Sequence, residues 1–355
     1  MRHQAGDWGR SARRRDVLLV RCALRDHRWH ATKSAGVEVN LNGTRIVLIG
    51  GAGLVGSHIV DQLIDEPVAE IVVFDNFLRG TRANLARAAA SPKLMIIEGS
   101  MTDRAAVADA VAGADGVFLL ASLWLGECVS DPRLAWEVNT LGTWNVVEAC
   151  REAGVKRIVY SSSASVYGNA VVTPMTEEHP FNNRTTYGAT KIANEQMLRA
   201  IYEQHGLPYI GMRYMNIYGP RMDYHGTYVS VIMKVLDRIF AGERPVIFGD
   251  GSQVYDFIHV ADVARANILG MRAECADEHF NIGMGEGTSI NELVRLLLEL
   301  TGSRLTPEYR PEAQSFVTHR IGSTEKAERL LGFRAAITLR DGLRSVLEWR
   351  HAQHA

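Results

Sequence analysis

Ile46-Val47-Leu48-Ile49 runs directly into Gly50-Gly51-Ala52-Gly53-Leu54-Val55-Gly56. A β-branched run that breaks at glycine predicts a buried strand and then a tight turn. The spacing Gly-x-x-Gly-x-x-Gly then opens a helical pattern over Leu54–Asp65. Glycine lets backbone N–H groups approach a pyrophosphate closely, and a helix N-terminus adds partial positive charge. A glycine triad alone also serves plain tight packing. The strand before it and the helix after it make it a dinucleotide turn. The next predicted strand, Ile71–Asp75, ends in an acid. A carboxylate there accepts hydrogen bonds from ribose hydroxyls and repels a 2′-phosphate, which predicts NAD rather than NADP. Arg79, close by, is read as a solvated loop charge.

The same alternation continues on both sides of this turn. Leu94–Glu98, Gly116–Leu120, Arg157–Ser161 and Tyr209–Tyr214 are near-continuously apolar. Such runs suit strands buried on both faces of a parallel sheet. Helical patterns such as Arg104–Val111 and Thr140–Ala153 separate them. The predicted class is α/β: a Rossmann-type doubly wound parallel sheet with a smaller C-terminal α/β substrate-binding domain. The dinucleotide-binding domain is placed at 44–218, with a loop excursion near 174–186 marked by Pro174 and Pro180. Residues 219–355 are mainly the substrate-binding domain, with about 254–270 returning to the core. Gly219-Pro220-Arg221, the turn Phe248-Gly249-Asp250-Gly251 and an amphipathic helix at Ile290–Leu300 punctuate that part.

Composition narrows the class further. The chain of 355 residues is 46% hydrophobic and 22% charged, with a formal net charge of −1. Nothing in that balance points to nucleic acid or a membrane surface. No apolar run reaches the roughly 18–20 residues a membrane helix needs. Cys22, Cys128, Cys150 and Cys275 are scattered without a CxxC pair. That predicts neither zinc nor a disulfide framework, and favours a reducing, cytoplasmic setting. Residues 1–43 read as a disordered extension. Arg13, Arg14 and Arg15 precede an apolar run, Val17–Val20, too short for an export signal. His58, His225 and His259 lack metal-ligand companions at useful spacing. Trp124, Trp136 and Trp144 read as packing a helical interface.

Two motifs carry chemistry. Tyr187-Gly188-Ala189-Thr190-Lys191 begins a helical run over Ala189–Tyr202. Positions i and i+4 share a helix face, so phenol and ammonium can act in one site. A free tyrosine has a pKa of about 10, and a neighbouring Lys⁺ favours the phenolate. Tyr187 is therefore a candidate general base. The serine cluster Ser161-Ser162-Ser163 ends the fifth strand, where ligands bind in parallel sheets. Spacing alone does not choose which serine faces a substrate.

In order along the chain stand GGAGLVGSH (50–58), Asp75-Asn76, NTLGTWNVVEAC (139–150), SSSASVYG (161–168), YGATK (187–191), RYMNIYGP (213–220) and GDGSQVYDFIHVADV (249–263). From Thr44 onward the chain resembles the extended short-chain dehydrogenases/reductases of the NAD-dependent epimerase/dehydratase family. The resemblance implies Ser163, Tyr187 and Lys191 as the catalytic set. It implies NAD contacts from Gly50, Gly53, Leu54, Val55, Asp75, Asn76, Ser100, Met101, Leu120, Ala121, Ser122, Asn139, Ser161, Tyr187, Lys191 and Tyr214. Ser163, Asn216, Tyr255 and Arg310 fall at substrate positions, and Arg221 is a further candidate for the diphosphate. The implied substrate is a nucleotide sugar. The implied assembly is a homodimer pairing helices near Pro132–Ala153 and Tyr187–His205.

The implied reaction follows from three residues. Family members that eliminate water resemble Thr-Asp-Glu where this chain has Ser163-Ala164-Ser165. Ala164 cannot transfer a proton, and Ser165 is a poor acid or base at neutral pH. What remains suits 4-epimerisation of a UDP-hexose or UDP-hexuronate. An NAD(P)-dependent sugar or alcohol reductase or dehydrogenase, and a non-catalytic dinucleotide-binding protein, are the rival readings. The chain departs from the family pattern at Tyr255, where an arginine usually pairs with the substrate phosphate. It departs again at Ser100 and Ser323, where aspartates are common. Arg320 lies near the position that gates sugar size, and an arginine there could read a uronate carboxylate.

Overall fold

The computed structural model describes residues 38–223, 230–311 and 319–354. Strands β1 (Arg45–Ile49), β2 (Glu70–Asp75), β3 (Leu94–Glu98), β4 (Gly116–Leu119), β5 (Arg157–Ser163) and β6 (Tyr209–Tyr214) join Glu278–Ile282 in one sheet. The order is Glu278–Ile282, β6, β5, β4, β1, β2, β3, and every pairing is parallel. Strand order reverses between β1 and β4, and a crevice opens there at the carboxyl ends of the strands.

Period-two alternation splits β1 between two cores. Ile46 and Leu48 pack with Ile59, Val60 and Leu63 of helix α1 (Leu54–Leu63). Val47 and Ile49 pack on the other face with Val107 and Val111 of α2 (Arg104–Val111). Each fully buried aliphatic side chain contributes about 1.5–3 kcal/mol, so a charge at Val47 would break this layer. Beyond the sheet, Ile232, Leu236, Leu293, Leu297, Leu343 and Val346 form a third core with Tyr218 and Phe257. Helices Val231–Phe240, Ile290–Leu300 and Leu339–His354 supply it.

The structure differs from the sequence reading in four places. Residues 1–37, with Arg13–Arg15, lie outside the described residues, as does His225. Residues 38–43, read as part of the extension, join the fold instead, with Val39 and Leu41 buried in the same core as α1. The stretch returning to the sheet runs past residue 270 and ends in the edge strand Glu278–Ile282. Alternating polar residues there, Glu278, His279 and Asn281, hid the strand signal. The helix expected over Thr140–Ala153 is preceded by α3 (Leu125–Ser130) and α4 (Pro132–Ala135). It then divides into a π-helical turn, Trp136–Gly142, and α5 (Thr143–Glu152). The wider turn carries Asn139 inward. Lastly, β5 continues to Ser163, pairing Ser162 with Arg213 and Ser163 with Tyr214.

Candidate active site

A cleft of about 650 Å³ lies along the carboxyl edge of β1, β2, β4, β5 and β6. Of the residues expected at the cofactor, Gly50, Gly53, Leu54, Val55, Asp75, Asn76, Ser100, Met101, Leu120, Ala121, Ser122, Ser161, Tyr187 and Tyr214 line it. Gly50 has φ +85°, and a Cβ on it would sit 2.7 Å from the Ala121 backbone nitrogen. A Cβ on Gly56 would meet the Gly50 carbonyl at 2.6 Å, so the turn and helix can approach only as glycine. Gly53 is the N-cap of α1, makes no side-chain cap, and no acid occupies the first turn. The N–H groups of that turn therefore face the cleft uncapped, which suits a pyrophosphate.

Asp75 does more than the sequence reading assigned. Its Oδ2 accepts from Ala52 N at 2.9 Å and its Oδ1 from Phe77 N at 2.8 Å. The carboxylate thus fixes the glycine turn against β2 while remaining on the cleft lining. Arg79 is a correction. It is no solvated loop charge: its guanidinium carbon lies 3.3 Å from the Trp124 ring centroid, and it pairs with Glu127 at 3.0 Å and Asp223 at 2.8 Å. Trp124 accordingly lines the cleft rather than a helical interface. The clamp joins three segments across the cofactor end.

Helix α6 (Thr186–His205) starts earlier than its apolar pattern, because Thr185 Oγ1 caps it by accepting from Gly188 N at 3.0 Å. Tyr187 therefore stands on the first turn and Lys191 one turn on. Lys191 is 2% exposed, and its Nζ donates to the Ser161 carbonyl at 2.7 Å. Burial lowers its pKa to about 8. Burial also pushes the Tyr187 phenol up to about 12, against the pull of the Ser163 and Ser122 hydroxyls and the Arg320 charge. The lowering expected from Lys191 is thus exceeded by desolvation; its Nζ lies 5.5 Å from the Tyr187 ring centroid and is aimed at β5. Ser163 Oγ accepts from Ser165 N at 3.1 Å and lines the cleft, so it serves both turn and site.

Other expected residues stand elsewhere. Asn139 lies behind the cleft wall. Its Oδ1 accepts from Leu123 N at 2.7 Å and its Nδ2 donates to Thr190 Oγ1 at 3.3 Å, tying the loop after β4 to α6. Asn216 donates its amide to the Asp256 carbonyl at 3.1 Å and is not on the lining. Arg221 is on the lining, but its guanidinium pairs with Asp61 of α1 at 2.5 Å. Arg310 is exposed on an edge strand and pairs with Glu308 at 2.8 Å, away from the cleft. Tyr255 is half-buried in a three-stranded sheet with Thr288–Ser289 and His319–Arg320, also off the lining. His58 is held neutral, its pKa lowered to about 4 by burial.

One support was missed from sequence. Glu195, two turns after Tyr187, is fully buried and bridges Arg213 at 2.8 Å and Ser162 Oγ at 2.5 Å. Arg213 also donates to Tyr167 Oη at 2.8 Å. This pair locks α6 against β5 and β6 behind the serines. Removing one member of such a pair costs about 3–5 kcal/mol. The spacing Tyr187, Lys191, Glu195 on one helix face was the available signal.

The turn, the uncapped helix and the strand-end acid define a dinucleotide-binding enzyme of the doubly wound class. Residues 46–283 match the family described as NAD dependent epimerase/dehydratase. The chain is 32% identical over 308 residues to a putative UDP-glucose 4-epimerase of Methanocaldococcus jannaschii, covering 86% of this chain and 97% of that one. It superposes on a UDP-N-acetylglucosamine 4-epimerase of Methanobrevibacter ruminantium, solved with UDP-N-acetylmuramic acid. There the TM-score is 0.84 at 31% identity, over 88% of this chain and 99% of that one. A UDP-glucose 4-epimerase of Thermotoga maritima, solved with UDP-glucose, gives a TM-score of 0.82 at 33% identity, over 88% and 100%. The chain belongs to the NAD-dependent epimerase/dehydratase family, and NAD is its cofactor.

Proposed function

We propose that the protein is a nucleotide-sugar 4-epimerase acting on a UDP-hexose or UDP-hexuronate. The observation that carries this is the convergence of Ser163 and Tyr187 on one cleft, with Lys191 behind them and neither of the two residues after Ser163 an acid or base. Ala164 is buried, and Ser165 is committed to Ser163. That pair offers nothing to expel a neighbouring hydroxyl, so elimination is disfavoured.

When bound along the cleft, NAD would supply reversible hydride transfer. The chain's own residues manage the proton and the sugar. Tyr187 takes the proton from the 4-hydroxyl as its phenolate, the form that the positive charge of an oxidised nicotinamide would favour against the burial that raises the free phenol, and returns it after the 4-keto sugar has turned over. Ser163 holds the same oxygen by a hydrogen bond, which strengthens as negative charge develops there. Lys191, anchored to the Ser161 carbonyl, keeps a donor group beneath the tyrosine. The Arg79 clamp over the cofactor end supports a cofactor that stays between turnovers.

The apolar surface of α3 to α5 supports a homodimer. Trp136 is 44% and Leu141 55% exposed, with Leu134 and Trp144 nearby in sequence. Light scattering should give twice the chain mass. Among the described residues no helix is long and apolar enough to cross a membrane, and Cys128, Cys150 and Cys275 are free thiols. Free thiols suit a reducing, cytoplasmic setting.

Purified enzyme incubated with UDP-glucose, UDP-glucuronate and their N-acetyl analogues, followed by product NMR, tests the reaction. A 4-epimer from at least one is expected. Steady net NADH production with no 4-epimer would replace this reading with a dehydrogenase.

A further inference from the structure

The cleft carries a bridge that the proton chemistry does not use. It starts at Arg79, in the loop after β2, and that loop is tied down on both sides. Before Arg79, Phe77 holds a φ of +55° with its N–H on Asp75 Oδ1, and Leu78 N donates to Asn76 Oδ1 at 3.1 Å. A left-handed phenylalanine is uncommon, so these contacts impose the backbone. After Arg79, a Cβ on Gly80 would meet the Ala52 backbone at 2.7 Å, and Asn84 Nδ2 donates to the Ala52 carbonyl at 2.9 Å. The loop rests on the glycine turn, and the arginine has a fixed base.

The far anchors are fixed too. Glu127 Oε2 accepts from Trp124 N at 3.2 Å, capping α3, while its Oε1 accepts from Arg79 Nη1 at 3.0 Å. The guanidinium carbon lies 3.3 Å from the Trp124 ring centroid. Asp223, beyond the strand Asn216–Tyr218, accepts from Nη2 at 2.8 Å. Arg79, Trp124 and Asp223 line the cleft, and Glu127 is off the lining. In the sheet, β1 stands between β2 and β4. A bridge from the loop after β2 to the helix after β4 therefore crosses the carboxyl end of β1, where the glycine turn and its uncapped N–H groups lie. A dinucleotide with its ribose at Asp75 and its reactive end at Tyr187 must cross at the same point with its pyrophosphate.

We propose that Arg79, with Trp124, Glu127 and Asp223, forms a strap over the pyrophosphate that sets how fast NAD enters and leaves. This rests on the epimerase reading, in which the cofactor stays between turnovers. The guanidinium spends its charge on two carboxylates, so it acts as a fastener rather than a phosphate ligand. Opening must break both ion pairs and the ring contact together, because the partners come from separate segments. Glu127 and Asp223 are 41% and 32% exposed, so each pair is weak enough to open. A strap slows entry and exit alike and leaves affinity nearly unchanged.

Exchange of the NAD-loaded enzyme against excess isotope-labelled NAD gives the exit rate, and equilibrium dialysis gives the affinity. Glu127→Gln and Asp223→Asn should each speed exchange about threefold, the scale of one part-exposed pair, and Arg79→Gln, which loses both, about tenfold. Affinity should move less than about threefold in all of them. Arg79→Lys should fall between wild type and Arg79→Gln, because it keeps the charge without the planar fork. Unchanged exchange in Arg79→Gln would overturn the proposal. So would slower exchange in Glu127→Gln beside faster exchange in Arg79→Gln, the pattern of net charge acting on an anionic cofactor. An affinity loss that matches the faster exit in Arg79→Gln would overturn it as well, by making the guanidinium a direct phosphate ligand. No sugar enters this experiment, so product NMR reports a failed epimerase reading separately from a failed strap.

Discussion

The two ends of the cleft are built differently. At the cofactor end, the groups expected at the dinucleotide come from the last residue of a strand or the few that follow: Gly50 after β1, Asp75 and Asn76 at β2, Leu120 to Ser122 after β4. At the catalytic end, Ser163 and Tyr187 reach the lining from β5 and α6, which the buried pair of Glu195 with Arg213 locks together. The first end is a property of local spacing. The second is a property of tertiary assembly. The first can therefore be read residue by residue, while the second shows only once the chain is folded.

The largest effect expected falls where the two ends meet. Tyr187→Phe removes the proton carrier and should lower kcat about 10³-fold, within the range for general acid–base groups, while bound NAD measured by absorbance stays at wild-type stoichiometry. Loss of NAD together with activity would show that the phenol belongs to the cofactor end instead.

Gly50→Val probes the cofactor end alone. The position has φ +85°, and a Cβ would meet the Ala121 backbone at 2.7 Å. Left-handed strain and overpacking each cost about 1–3 kcal/mol, so NAD affinity should fall about 100-fold. Retained affinity would mean that the turn relaxes.

Lys191→Met should separate function from stability. Burial lowers the Lys191 pKa to about 8 from an ordinary value near 10.5. The folded state thus binds fewer protons than the unfolded chain between those values, and wild-type stability rises with pH across that window. Below pH 8 the buried charge opposes folding by on the order of 3 kcal/mol. The variant should therefore unfold at higher temperature than wild type at pH 7, with the gain fading toward pH 10.5, while activity is lost. A variant less stable at pH 7 would mean that the bond to Ser161 outweighs the desolvation.

The smallest effect expected is at Arg310. Its guanidinium is exposed and paired with Glu308. Arg310→Ala should change KM less than about twofold, in line with the small worth of a surface pair. A tenfold rise in KM would return it to the substrate end.

These contrasts also explain what was legible. β1, β4 and β6 and the glycine turn were readable because parallel strands buried on both faces carry unbroken apolar runs. The edge strand Glu278–Ile282 was not, because His279 and Asn281 make buried contacts that look polar in sequence. Tyr187 and Lys191 were legible at helical spacing, and Glu195 lay one turn further along the same face. Arg79 was misread because its three partners, Trp124, Glu127 and Asp223, are distant in sequence. Asn216 and Arg310 were assigned by motif position, yet their side chains satisfy neighbouring groups and stay off the cleft.

Hydride return within one bound cofactor is the central claim, and UDP-glucuronate deuterated at C4 tests it most directly. The account predicts a 4-epimer that keeps deuterium at C4, with none appearing in NAD added to solution. Deuterated NADH accumulating in solution, with no 4-epimer formed, would contradict it.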